Sequence, residues 1–268
     1  MMQITFIGGG NMAAAIIAGL AKDASHRLRV VDHNRDKLAD LQQRFGAVGS
    51  LELPASFGAD DVVVLAVKPQ QLRELCRELA PRLGGALVVS IAAGIRTEAL
   101  SRWLGSSRIV RTMPNTPSMV GLGMTGLFAA DGISVADRDA ARIIMQAVGK
   151  VMWLAEEQGI DDITCVSGSG PAYVFYFIEG LMQAAAEAGF DPAAARELAL
   201  STFEGAVALA RQSDLDIDQL RRNVTSKGGT TERAIARFDK EGVKAAIVAG
   251  AMDCRARSVE MGQQLSQD

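Results

Sequence analysis

Two hydrophobic rhythms succeed one another along the chain. Through residue 154, short apolar runs take turns with longer stretches whose apolar positions recur about every 3.6 residues, which is strand alternating with helix. The pattern predicts strands over Gln3–Ile7, Leu28–Asp32, Asp61–Val67, Ala86–Ile91, Arg108–Thr112, Thr125–Ala130 and Val151–Leu154. Between them it predicts helices over Asn11–Ala21, Asp36–Phe45, Gln70–Leu83, Thr97–Leu104 and Val135–Val148. The unbroken apolar run Val62-Val63-Val64-Leu65, β-branched through its three valines, suits a parallel sheet covered on both faces. From Ile160 onward the short runs stop, and helices are predicted over Pro171–Ala188, Pro192–Ala210, Ile217–Val224, Thr231–Phe238 and Gly242–Leu265. The expected fold is therefore α/β: a Rossmann dinucleotide-binding domain over residues 1–158, followed by an all-helical dimerisation and substrate domain over residues 159–268.

The helix from Pro171 to Ala188 reads as the longest, started by Gly170-Pro171 and stopped by Gly189. Tyr173, Phe175, Tyr176, Phe177, Leu181 and Met182 make it apolar on most sides, too much for a surface helix, so burial against a second subunit is expected. Only 5% of the residues are aromatic against 49% hydrophobic, so the core is built of Ala, Val, Leu and Ile. A net charge of −3 gives no electrostatic case for nucleic acid or an anionic membrane as partner. No signal peptide opens the chain and no apolar run of about 18 residues occurs, which points to a cytoplasmic protein without a membrane span. The three cysteines, Cys76, Cys165 and Cys254, are far apart and read as reduced thiols. With only His26 and His33 present, neither a serine triad nor a histidine metal cluster is expected.

The chemistry concentrates in a few stretches. Ile7 runs into Gly8-Gly9-Gly10-Asn11-Met12-Ala13, a G-x-G-x-x-A turn between strand and helix. Its glycines permit a tight turn and close approach to a pyrophosphate, and the helix start supplies unpaired N–H groups. Asp32 stands where an acidic group binds the ribose hydroxyls of NAD, whereas Asn34 and Arg35 suit a 2′-phosphate, and the two signals conflict. Three further segments sit at the carboxyl ends of predicted strands, where α/β sheets bind ligands: Ala66-Val67-Lys68-Pro69, Ala92-Ala93-Gly94 and Met113-Pro114-Asn115-Thr116-Pro117. Late in the chain, Asn223 to Thr231 places hydroxyls on both sides of Gly228-Gly229 just before a helix, a small anion site suited to one carboxylate. Glu156-Glu157 reads on composition alone as a solvated acidic turn, and Ser167-Gly168-Ser169-Gly170-Pro171 as a glycine-serine turn feeding the long helix.

Taken together, Phe6 to Met12, Ala66 to Pro69, Met113 to Pro117, Ser167 to Tyr173 and Val224 to Thr231 resemble pyrroline-5-carboxylate reductase, in order and over nearly the whole chain. The resemblance implies reduction of 1-pyrroline-5-carboxylate to L-proline by NADPH, with NADH possible, the last step of proline biosynthesis. It implies that Ile7, Gly8, Gly9, Gly10, Asn11, Met12, Asn34 and Arg35 hold the pyrophosphate and adenosine end of the cofactor. Ala66, Val67, Lys68, Pro69, Ala92, Ala93 and Gly94 would line the cofactor groove, Asn115 would lie near the nicotinamide, and Asn223 would reach the cofactor from a partner subunit. Glu157, Ser226, Gly228, Gly229, Thr230 and Thr231 would contact substrate, with Thr231 beside the ring nitrogen as the catalytic hydroxyl. A homodimer assembling into a larger homo-oligomer is implied, with no metal. One departure stands out: Lys227 occupies a position where the family usually has proline, which puts the rigidity of that loop in question.

Two other readings compete. β-Hydroxyacid dehydrogenases share the two-domain plan but carry a catalytic lysine four residues after the second glycine of their G-x-G, where counting from Gly170 gives Val174. A non-catalytic NADP-binding sensor would have no use for the Thr230-Thr231 loop.

Overall fold

The computed structural model describes residues 2–267. Eight strands form one sheet: β1 (Gln3–Ile7), β2 (Arg27–Val31), β3 (Val48–Ser50), β4 (Asp61–Leu65), β5 (Leu87–Ser90), β6 (Ile109–Met113), β7 (Gly123–Ala129) and β8 (Gly149–Trp153). Their spatial order is β3-β2-β1-β4-β5-β6-β7-β8. The first six run parallel, β7 is antiparallel to β6, and β8 is parallel to β7. This is the Rossmann order, with the chain reversing direction of growth between β1 and β4.

Period-two alternation within these strands divides the core in two. Ile4, Phe6, Val30, Val62, Val64, Leu87 and Val89 point to one face. There they meet α1 (Asn11–Leu20), α2 (Arg35–Phe45) and α5 (Val135–Gln146). Ile7, Val31, Val63, Leu65, Val88 and Ile109 point to the other, covered by α3 (Pro69–Leu79) and α4 (Thr97–Leu104). Cys76 lies in this second core, where burial pushes its thiol up to about 12, and all three cysteines are free.

The register sets where the loops emerge. Ile7 pairs with both Val31 and Leu65, Leu65 with Ser90, and Ser90 with Arg111. The carboxyl ends of β1, β2, β4 and β5 are therefore level, and the loops after them open on one edge.

The remaining helices are α6 (Gly159–Ile163), α7 (Gly170–Glu187), α8 (Pro192–Gln212), α9 (Ile217–Asn223), α10 (Thr230–Lys240) and α11 (Val243–Leu265). The described residues divide into two compact units, 2–169 together with 254–267, and 170–253. In the second unit α7 packs along α8, whose start is capped by Asp191 accepting from the N–H groups of Ala193 and Ala194. The apolar face of α7 is left open: Phe175 is 60% exposed and Tyr176 74%. Beside it, Ala172, Tyr173, Phe177, Val243 and Ile247 line an apolar groove of about 580 Å³.

Three readings of the sequence need correction. Strand β3 escaped it, because three residues with a central glycine give no alternating pattern to detect. The segment before α7 is no turn: Thr164–Gly168 forms a π-helical stretch that continues α6, and α7 already begins at Gly170. Nor is α7 the longest helix: α11 has 23 residues and α8 has 21 against 18 for α7, lengths that the bounds expected for Gly242–Leu265 and Pro192–Ala210 already imply.

One ion pair clamps the sheet from outside. Arg108 donates through Nε (3.0 Å) and Nη2 (2.6 Å) to the buried carboxylate of Asp137 in the first turn of α5, and through Nη1 to the carbonyls of Ala59 and Gly85. The Arg108 guanidinium holds Asp137 below the usual aspartate range, against the opposing effect of burial. A carboxyl depressed in the folded state adds stability above its unfolded value and loses it as pH falls through the folded one. Asp137→Ala is accordingly expected to lower the unfolding free energy by about 2 kcal/mol at neutral pH. In urea titrations at fixed protein concentration, the gap to wild type should close under acid conditions. A gap that is independent of pH would show that packing, not charge, sets the loss.

Candidate active site

The level edge of the sheet is built first by Gly8. Its φ of +103° is open to glycine alone, and a Cβ there would lie 2.7 Å from the Ala66 carbonyl oxygen. The loop after β1 thus lies against the loop after β4, and the Ala66 N–H donates to the Ile7 carbonyl at 2.9 Å. Gly10 precedes α1 in extended conformation, no side chain caps the helix, and no acidic residue occupies its first turn. A Cβ on Gly10 would meet nothing within 4 Å. The first N–H groups of α1 therefore face open space, the arrangement that receives a phosphate.

Asp32 braces this loop. It is 8% exposed, and its two carboxylate oxygens accept from the Gly9 N–H (2.7 Å) and the Asn34 N–H (2.9 Å). Burial alone pushes this carboxyl up, yet the two N–H donors outweigh it and hold Asp32 below the ordinary aspartate range. Each oxygen takes one N–H and keeps further acceptor capacity, so the conflict seen in the sequence stands. Asn34 accepts from the Asp36 and Lys37 N–H groups through Oδ1 and so caps α2. The Arg35 side chain, at the first position of α2, is exposed, and no ion pair engages it among the described residues. Lys68 and Pro69 open α3, with Pro69 at its first position and Lys68 exposed. Ala92, Ala93 and Gly94 follow β5, Gly94 turning at φ +74°.

Asn115 and Glu157 are more committed than the sequence allows one to see. Asn115 is buried, its Nδ2 donating to the Ser167 carbonyl (3.0 Å) and its Oδ1 accepting from the Met124 N–H (2.9 Å). It ties β7 to the π-helical stretch. Glu157 is no solvated turn residue: one oxygen, Oε1, accepts from Thr97 N–H (2.7 Å), Thr97 Oγ1 (3.0 Å) and Arg111 Nη1 (2.8 Å). It caps α4 from sixty residues away and neutralises Arg111, whose side chain is 1% exposed. Thr97 and Arg111 were not singled out from sequence. An arginine inside the apolar strand Ile109–Met113 was the available signal, since a buried charge demands a partner.

The late glycine loop lies in the second unit. Gly228 turns at φ +73°, and Gly229 donates to the Ser226 carbonyl and precedes α10 without any side-chain cap. Thr230 and Thr231 take the first two helical positions. The Gly228 N–H donates to Glu232 Oε2 at 2.7 Å, so this turn holds a carboxylate of its own chain. Lys227 stands between Ser226 and this hydrogen-bonded glycine, and its side chain is exposed. Asn223 ends α9, its Oδ1 accepting from Gln219 Nε2 at 2.7 Å. Among the described residues no cluster of His, Cys, Asp and Glu is placed to hold a metal.

Comparison with known proteins gives a consistent result. A family model described as pyrroline-5-carboxylate reductase dimerisation matches residues 157–261, and one described as NADP oxidoreductase coenzyme F420-dependent matches residues 3–94. Pyrroline-5-carboxylate reductase from Pseudomonas aeruginosa is 41% identical, the match spanning 99% of this chain and 98% of that one. The Haemophilus influenzae protein of the same name is also 41% identical, over 96% and 97%. Among solved structures, a pyrroline-5-carboxylate reductase from Coxiella burnetii superposes with a TM-score of 0.88 at 39% identity, covering 96% of this chain and 97% of that one. A Plasmodium falciparum pyrroline carboxylate reductase with NADP bound gives 0.85 at 27% identity, over 97% and 98%. On its glycine turn, its sheet order and these relatives, the chain belongs to the pyrroline-5-carboxylate reductase family.

Proposed function

We propose that this protein reduces the C=N bond of 1-pyrroline-5-carboxylate to give L-proline, using NADPH in preference to NADH. The observation that carries the reading is the level carboxyl edge of β1, β4 and β5, where Gly8 to Met12 present an uncapped helix start within contact of Ala66. Full-length likeness to pyrroline-5-carboxylate reductases supports it. Residues 1–158 act as the dinucleotide-binding domain and residues 159–268 as the dimerisation and substrate domain. The open apolar face of α7 and its groove support a homodimer, which assembles further. Free thiols, together with the absence of any described helix long and apolar enough to cross a membrane, support a cytoplasmic setting.

The residues divide the work as follows. Ile7 to Met12 receive the pyrophosphate on the N–H groups of α1, and Arg35 meets the 2′-phosphate with an unpaired guanidinium. Ala66 to Pro69 and Ala92 to Gly94 wall the groove, and Asn115 fixes the loop beside the nicotinamide. The bound cofactor supplies hydride. Ser226 to Thr231 hold the substrate carboxylate with N–H groups and hydroxyls, which fixes the ring carbon that faces the hydride donor. Thr231 donates a hydrogen bond at the ring nitrogen. An imine is far more electrophilic once protonated, so this hydroxyl aligns and polarises it rather than acting as a strong acid. Asn223 reaches the cofactor from a partner subunit, and Glu157 acts from its place beside Thr97 and Arg111.

Steady-state rates, followed as NADPH oxidation, test the assignment. Thr231→Ala is expected to lower kcat/KM for 1-pyrroline-5-carboxylate about a hundredfold, with KM for NADPH little changed. Folded wild type that binds NADPH yet turns nothing over would overturn the reductase reading in favour of a sensor.

The cofactor side has its own test. Arg35→Ala should raise KM for NADPH about tenfold and leave NADH unaffected, because only NADPH carries the extra phosphate. Asp32→Asn should weaken both cofactors together, since it loosens the glycine loop. A change in the NADPH to NADH ratio in Asp32→Asn would instead make Asp32 a reader of the ribose.

A further inference from the structure

Residues 254–267 belong to the first unit and are fastened to it at several points. Within the first unit, the last turns of α11 are stitched to two elements. Ser258 Oγ donates to the buried Asp161 carboxylate at 2.7 Å, and Arg255 Nε to Asp162 at 2.5 Å. Further on, Leu265 packs against the core that holds Ile95 and Leu100. Ser266 closes the seam: its Oγ accepts from the Arg96 N–H at 3.1 Å and its carbonyl from Arg102 Nη2 at 2.9 Å.

All of this bears on the loop between β5 and α4. Gly94 is buried there at φ +74°, and a Cβ on it would come within 3.1 Å of Leu265 Cδ1 and 3.5 Å of Met261 Cβ. Gly262 approaches the same loop from the helix side, a Cβ on it lying 3.3 Å from Arg96 Nε. Arg96 offers no side chain to cap α4. The donors at this helix start are met from distant parts of the chain instead, Arg96 N–H by Ser266 and Thr97 N–H by Glu157. The loop is held by its own buried Ala92 and Ile95 on one side, and its left-handed glycine and the Arg96 N–H are met from α11 and Ser266 on the other.

We propose that Met261, Leu265 and Ser266 are positioning residues for the Ala92–Gly94 loop and thereby set the affinity for the dinucleotide. The proposal rests on that loop lining the cofactor groove. Leu265 and Met261 supply the apolar floor that Gly94 lies on, and Ser266 fixes the direction in which the loop enters α4. Their effect reaches the cofactor through the loop, so it falls on NADPH and spares the substrate carboxylate site.

The test uses full-length Leu265→Ala, Ser266→Ala and Leu265→Met, with direct NADPH titration by fluorescence beside steady-state kinetics. Leu265→Ala is expected to raise both Kd and KM for NADPH roughly tenfold, with KM for 1-pyrroline-5-carboxylate within about twofold of wild type. Leu265→Met should restore most of the affinity, and Ser266→Ala, which removes one hydroxyl and no packing, should raise Kd severalfold. NADPH affinity unchanged in both alanine variants would overturn the proposal. So would a loss shared equally by both substrates that tracks the folded fraction and is not rescued by methionine. A wild type that binds neither NADPH nor NADH would overturn the cofactor assignment itself, and this inference with it.

Discussion

Parallel pairing with level carboxyl ends is the constraint on which the rest depends. Once Ile7, Val31, Leu65 and Ser90 stand side by side, the segments that follow them must leave from one edge of the sheet. The glycine turn, Asp32, Ala66 to Pro69 and Ala92 to Gly94 are scattered over almost ninety residues, and register alone gathers them. A slip of one residue in β1 would reverse which side chains enter each core and carry Gly8 away from Ala66. The two apolar cores hold the register, so packing energy in the sheet is what keeps the edge aligned.

The polar residues along that edge share a second trait: several that look ready for ligands are bound to backbone. Asp32 answers two N–H groups, Asn115 an N–H and a carbonyl, and Glu157 two backbone or side-chain donors on Thr97 plus Arg111. The physical reason is the same in each case. Loops at a sheet edge carry N–H groups with no strand to pair with, and leaving one buried and unmet costs about 1–3 kcal/mol. Side chains that meet those groups fix the shape of the loops. Under the function proposed above, their contribution to binding is geometric.

The sequence was most legible where the cause is local. Apolar period and glycine placement recover seven of the eight strands and the helices on both sides of the sheet, and the G-x-G-x-x-A turn marks the site from the six residues Gly8 to Ala13. What stayed hidden depends on pairing across long separations. Nothing near Arg96 announces Ser266, 170 residues later, and nothing near Thr97 announces Glu157. Such partners are chosen by topology after the strands have set their order. The π-helical stretch at Thr164–Gly168 is hidden for a different reason: Gly and Ser there satisfy turn statistics equally well, and only the Asn115 bond to the Ser167 carbonyl shows what the irregular hydrogen bonding leaves free.

The loop at Ser226 to Thr231 carries its own argument for the carboxylate role proposed for it. A left-handed glycine and a helix start without a side-chain cap form a turn that attracts negative charge. In this chain that attraction is already expressed, because the Gly228 N–H holds the Glu232 carboxylate at 2.7 Å. An acidic group three positions into α10 also suits the helix dipole, so the contact stabilises the turn it occupies. The exposed Lys227 adds a positive charge beside the loop proposed to receive the substrate carboxylate. The turn is thus held by a carboxylate of its own chain, and a substrate carboxylate would bind beside that contact.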